Sequence, residues 1–233
     1  MEDIILRHSN SDLLIIDDLG DFMDGMKGFT TRGGHKLPQN MSDEEAFDFG
    51  VFIKVGLVEK LVPYFDKIVV NDVVNDNHSG SFSYFVSSAV SKILKQKYST
   101  KVSYNICRKF LTHYKIGDRT VILSHGKDSE MLKFGLKPYP SKDNLSFVDA
   151  YCKENNIYRE SKYIEFSKGD SHQLVMDMSS SDDFNYISYP AFSPSSEFIQ
   201  TNYKKGRSGY VIQQGHFYKE EVVIKPVFFD WSS

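Results

Sequence analysis

The sequence predicts an α/β fold with mixed β-sheets, and three observations carry that reading. Short apolar runs of strand length alternate with longer stretches of helical spacing, the pattern of a sheet interleaved with helices. The part beyond about Ser179 holds further β-like runs separated by serine or glycine turns, so the sheets are not all parallel. The chain of 233 residues, 40% apolar and 25% charged, has ordinary globular composition and can bury a substantial core.

Leu13-Leu14-Ile15-Ile16 is a short apolar run ending in Asp17 and Asp18, which suits a buried strand. A long loop with Gly28, Gly33, Gly34 and Pro38 follows, and loops of that length in compact domains tend to be functional or mobile. Ser42-Asp43-Glu44-Glu45 reads as a capping box. A helix follows to about Val62, with Phe49, Phe52, Ile53, Val55, Leu57 and Leu61 available for its buried face. Lys67-Ile68-Val69-Val70 is the second strand. Gly80 to Tyr98 is a helix with Phe82, Phe85, Val86, Ala89, Val90, Ile93 and Leu94 at helical spacing.

Thr120-Val121-Ile122-Leu123 is the third core strand. Helices are expected from about Asp128 to Phe134, stopped by Gly135, and from Leu145 to Glu154. Lys162 to Phe166 is the fourth strand, and Tyr186 to Tyr189, Tyr210 to Gln213 and Val222 to Val227 are the later β segments. No repeat or linker divides the chain. It is expected to be one domain over 1–233, with the β-rich 180–233 part completing a second sheet or capping the site.

Composition excludes some classes. A net charge of −3 gives no global pull towards nucleic acid or anionic lipid. Cys107 and Cys152 show no metal-knuckle spacing, which argues against structural zinc and a disulfide framework. The start lacks a basic-then-apolar leader, and no run approaches the ~20 apolar residues of a membrane span. A cytoplasmic protein without a membrane partner is the expectation. A local basic stretch does exist, with Lys92, Lys95, Lys97, Lys101, Arg108, Lys109 and Lys115 interleaved by Tyr98, Tyr104 and Phe110. It reads as a solvated helix face or as a track for a nucleic-acid backbone.

Chemistry-bearing residues recur after the strand-like runs. They are Gly20-Asp21-Phe22-Met23-Asp24, Asn75-Asp76-Asn77-His78, Ser124-His125-Gly126 and Gly169-Asp170-Ser171-His172. In open α/β sheets, ligands bind beyond the carboxyl ends of strands. Each station also has a plainer reading. Asp21 and Asp24 suit a solvated turn, Asn77-His78 an Asx turn capping the next helix, and His125 a satisfied core histidine.

Together the stations resemble the calcineurin-like metallophosphoesterases, whose signature is D-x-H, G-D-x-x-D, G-N-H-D/E, an isolated histidine often followed by glycine, and G-H-x-H. Gly20 to Asp24 matches the second motif, Asn77-His78 the heart of the third and His125-Gly126 the fourth. Gly169 to His172 keeps the ends of the fifth, with Asp170 for its first histidine. The resemblance spans about residues 13 to 172. It implies an α/β/β/α sandwich with mixed sheets and a dinuclear centre that hydrolyses phosphomonoesters or phosphodiesters.

By that resemblance, Asp21 would bridge two divalent ions, Asn77 and His125 would complete one shell, and His172 would bind the other. Asp170 would add an oxygen ligand. Such donors suit Mn, Fe or Zn. His78 would stabilise the transition state or protonate the leaving oxygen, and Asp24 would orient the shell. Arg32 and His35, in the glycine-containing loop, would bind the phosphate ester or belong to a plain surface loop. Residues 1 to 20 hold no D-x-H, so the first strand-helix unit is expected to be absent and one ion's shell incomplete. Three functions follow as alternatives: a stand-alone metallophosphoesterase, an enzyme completed by a complementing N-terminal segment or chain, and a non-catalytic scaffold that binds a partner or nucleic acid.

Overall fold

The computed structural model describes residues 2–127, 138–194 and 207–230. They fall into two compact units, one over residues 2–109 and the other over the described residues from 110 onwards. The fold is mixed α/β with several sheets, as expected.

The first unit runs α1 (Glu2–His8), β1 (Leu13–Asp18), α2 (Asp43–Leu61), β2 (Lys67–Val73), α3 (Ser81–Tyr98) and β3 (Val102–Cys107). Its three strands form a parallel sheet in the order β1-β2-β3, with Asp18 opposite Asp72 and Asp72 opposite Ile106. Helix α2 starts where Ser42 and Glu45 close the expected capping box: Ser42 Oγ accepts from the Glu45 amide at 3.2 Å, and the Ser42 amide donates to Glu45 Oε2 at 2.9 Å. Val58 and Leu61 of α2 and Val86, Val90 and Leu94 of α3 are buried with Ile68, Val70 and Val102 of the sheet. Burying each such side chain contributes roughly 1.5–3 kcal/mol.

Two expectations about this unit need correction. Phe49, Phe52 and Ile53 are 49%, 73% and 39% exposed, and Phe85 of α3 is 49% exposed. Apolar residues surround most of α2, so spacing alone selects no face, and the sheet is met by the stripe of Val55, Val58 and Leu61. Strand β3 was not anticipated. Val102, Tyr104 and Ile106 alternate with Ser103 and Asn105 as a half-buried strand should, but the neighbouring basic residues draw attention away from that period. The basic residues themselves are spread over α3 (Lys92, Lys95, Lys97), the segments flanking β3 (Lys101, Arg108, Lys109) and, in the second unit, a strand at Lys115. Lys97 pairs with Glu59 at 2.8 Å on the exposed surface.

Polar groups organise both faces of this small sheet. On one, Lys54 from α2 reaches Asp18 Oδ2 at 2.8 Å and Asp72 Oδ2 at 2.7 Å. Ser87 Oγ from α3 donates to Asp72 Oδ2 at 2.6 Å, Tyr104 OH donates to the same oxygen, and the Phe22 ring lies 4.2 Å from the ammonium. On the other face, Asn105 donates to Asn71 at 2.9 Å and Asn71 to Asp17 at 2.8 Å, a side-chain chain across all three strands.

The second unit contains β4 (Thr112–Ile116), β5 (Arg119–Ser124), α4 (Lys142–Glu154), α5 (Ile157–Glu160), β6 (Tyr163–Lys168), β7 (Val175–Asp177), β8 (Asn185–Ser188), β9 (Gly209–Gly215) and β10 (Val222–Phe228). The five-stranded sheet has the order β4-β5-β6-β8-β7. Strands β5, β6 and β8 are parallel, while β4 and β7 are antiparallel edges. Ile122, Phe166 and Tyr186 from the sheet share a core with Val148 and Cys152 of α4 and Ile157 of α5. The helix expected over residues 128–134 lies outside the described residues. Strands β9 and β10 form an antiparallel pair of their own, and Gln213 of β9 donates to buried Glu165 of β6 at 2.9 Å. Cys107 and Cys152 are buried and are not joined in a disulfide. Among the described residues, no helix is long and apolar enough to cross a membrane.

Candidate functional site

The sequence-predicted residues lie in loops after the carboxyl ends of β1, β2, β5 and β6, and each unit has its own group. In the first unit the organiser is a residue the sequence did not single out. Asp76, 1% exposed, accepts from the amides of Asp21 (3.2 Å), His78 (3.0 Å) and Ser79 (2.8 Å), and from Ser79 Oγ at 2.8 Å. This is an Asx turn, with Asp76 as its acceptor and the bonds running on to the loop after β1. The Asn-His station is therefore both a turn before α3 and a fixed mount for a side chain.

That mount presents His78 to two carboxylates. His78 Nδ1 lies 3.1 Å from Asp24 Oδ1, and Nε2 lies 3.7 Å from Asp21 Oδ2. The other Asp24 oxygen accepts from Gln39 Nε2 at 2.7 Å, so Asp24 itself is held. Asp21 sits at φ 54°, a left-handed conformation that non-glycine residues seldom adopt. Burial alone would lower the His78 pKa, but the hydrogen bond it donates to Asp24 and the charges of Asp21, Asp24 and Asp76 overcome it, and the net shift is upward. The pair's contribution to stability is fully present below about pH 6.5, the ordinary value of an unfolded histidine, and is lost as pH rises through the higher folded value. The urea midpoint advantage of the unsubstituted protein over His78→Gln should accordingly be larger at pH 6 than at pH 8.5. An advantage independent of pH would contradict the pairing.

The long loop reaches the same station through its backbone. Thr31 N donates to His78 O at 2.9 Å and Arg32 N to Asn77 O at 3.0 Å. Thr30 closes the tip by donating its hydroxyl to Arg32 O and accepting from the His35 amide. Arg32 is thereby brought beside Asn77, while His35 is exposed in the same tip. Gly25 is required here, because a Cβ would stand 1.9 Å from Phe29 O and 2.9 Å from His78 O.

In the second unit the residues brought together are His125 and Asp170. Parallel pairing of β5 with β6 sets Ser124 opposite Lys168, so the next residues of both strands leave the sheet side by side. His125 Nε2 is 3.7 Å from Asp170 Oδ1, and both side chains are almost fully buried. The Asp170 Oδ2 atom is buried without a hydrogen-bond partner. Asp170 and His172 have φ of 58° and 54°, and His172 is half-buried. Two lysines missed by motif reading stand beside Asp170. Lys127 Nζ is 2.9 Å from Asp170 Oδ1, and Lys168, only 2% exposed, donates to Ser171 Oγ at 3.0 Å. Burial pushes the Lys168 ammonium down to about 8, with Asp170 opposing and Lys127 reinforcing that shift.

A buried carboxylate with one oxygen near an imidazole nitrogen and the other without a donor is a donor set that suits a divalent cation. The Asp21 and Asp24 carboxylates that face His78 offer oxygen donors, the kind that hard divalent ions take. Each unit thus has its own group of carboxylate and imidazole donors.

No protein-family model matches the chain, and no curated protein does. Two solved structures similar to it are of Vps29 from Entamoeba histolytica. A single-site variant of that protein is 11% identical with a TM-score of 0.41, and the match covers 94% of this chain and 99% of that one. The wild-type protein complexed with Zn2+ is 10% identical with a TM-score of 0.40 and the same coverage.

Proposed function

We propose that the chain is a metal-dependent phosphoesterase that hydrolyses a phosphomonoester or phosphodiester. The observation that carries this reading is the buried His125–Asp170 pair with its unsatisfied carboxylate oxygen. A divalent ion, when bound, supplies Lewis acidity and an activated water at neutral pH. The protein's own residues do the rest. Asp21, Asn77, His125, Asp170 and His172 are the proposed ligands for two ions of Mn, Fe or Zn type. His78 holds a proton at Nδ1 through Asp24 and is the group that would pass a proton to the leaving oxygen. Arg32, fixed by its backbone to Asn77, is the candidate for a phosphate oxygen, with His35 in the same tip.

The test combines metal analysis with turnover of bis-p-nitrophenyl phosphate in added Mn2+. At least one tightly bound ion and Mn-dependent hydrolysis are expected, and their joint absence would overturn the stand-alone enzyme. Turnover that appears only on adding a segment carrying D-x-H would assign the chain to a complemented enzyme. The second reading is a non-catalytic scaffold for a partner or nucleic acid. It is favoured by the Lys127–Asp170 ion pair, which supplies the carboxylate with a counter-charge of its own.

A further inference from the structure

The Lys127–Asp170 pair lies within a site whose neighbours suit a metal ion, and the two facts compete. Asp170 has an almost fully buried side chain, with one oxygen 2.9 Å from the Lys127 ammonium and 3.7 Å from His125 Nε2. Its other oxygen has no hydrogen-bond partner. Lys168 also feels the Asp170 charge, and it donates to Ser171 Oγ, which in turn lies 2.7 Å from Ser188 Oγ. Lys127 is the lysine in direct ion-pair contact with the Asp170 carboxylate. Its side chain is 15% exposed, which gives it a route to water that Lys168 lacks.

We propose that Lys127 is a built-in rival of the metal ion at Asp170, a positioning residue that sets how tightly the second unit's ligands hold a divalent cation. This rests on the phosphoesterase reading, because it takes His125 and Asp170 as ligands. A divalent ion on Asp170 stands within a few ångströms of the ammonium, and like charges at that separation in a buried setting repel strongly. An ion held on Oδ1, the oxygen that also faces His125, would have to displace the ammonium from its 2.9 Å contact, and one on Oδ2 would still be repelled by it, so part of the metal's attraction would be spent against Lys127. Lys127 in return keeps Asp170 compensated when no ion is bound, which a buried carboxylate requires.

Titration calorimetry with MnCl2 alone tests this on the full chain. Lys127→Gln should bind Mn2+ at least about tenfold more tightly than the unsubstituted protein, and it should melt at a lower temperature without metal. Lys127→Arg keeps the charge and should keep the weaker affinity, so a folding defect in Lys127→Gln cannot pass for the effect. The rise in Tm on adding Mn2+ should be larger for Lys127→Gln, a readout that loss of packing alone would not produce. Equal or weaker Mn2+ affinity in Lys127→Gln overturns the rivalry, as does a loss of turnover at unchanged affinity. The underlying reading fails separately: Asp170→Asn that leaves Mn2+ affinity intact removes Asp170 as a ligand whatever Lys127 does.

Discussion

Replacing Lys54 with methionine should destabilise the first unit by about 3–5 kcal/mol, the cost of leaving buried charges without a partner. Lys54 is 8% exposed and holds Asp18 Oδ2 and Asp72 Oδ2 at 2.8 and 2.7 Å. Those aspartates sit opposite each other on adjacent parallel strands, so removing the ammonium sets two carboxylates side by side. Burial lowers the Lys54 pKa, but the two carboxylates outweigh it and the group stays charged. Burial pushes the Asp18 carboxyl up, so a protonated Asp18 is the relief available once Lys54 is gone. Hydrogen exchange of the β2 amides in the full chain reads this unit separately from the other. Combining Lys54→Met with Asp18→Asn and Asp72→Asn should return much of the loss, because a neutral set needs no counter-ion. Protection unchanged in Lys54→Met would show that the network contributes nothing.

Asp21→Asn and His125→Ala should each lower Mn-dependent turnover by more than about 100-fold, the upper end for groups that merely orient a ligand. Asp24→Asn, which holds His78 without being a proposed ligand, should fall within that 10–100-fold range. Exposed His113, hydrogen-bonded to Tyr151, is the control, and His113→Ala should leave turnover unchanged. The contrast between direct and orienting groups makes the test selective. Turnover that survives both Asp21→Asn and His125→Ala would remove these residues from the reaction.

What could be read from the sequence is what local chemistry determines. The Ser42–Glu45 capping box is visible because its partners are three residues apart, and it appears as written. The ends of β1, β2, β5 and β6 are visible because apolar runs stop at polar stations. The residues that hold those stations were harder to see. Asp76 acts on amides rather than on a ligand, and the Asn-His spacing hides it. Lys127 meets Asp170 only because β5 and β6 pair in parallel, a register that no spacing along the chain reveals. The buried face of α2 was misjudged for the opposite reason, since too many positions qualify and only the sheet decides among them.

The bonds that tie Thr31 and Arg32 to His78 and Asn77 run from main chain to main chain. They therefore do not depend on the side chains of Arg32 and His35, while the Thr30 and Thr31 hydroxyls and the loop glycines support the path. Variation can act on Arg32 and His35 as on interchangeable fittings, redirecting what the loop recognises while the mount beneath stays constant. A library restricted to Arg32, His35 and Lys36 would explore recognition without rebuilding the scaffold that supports it.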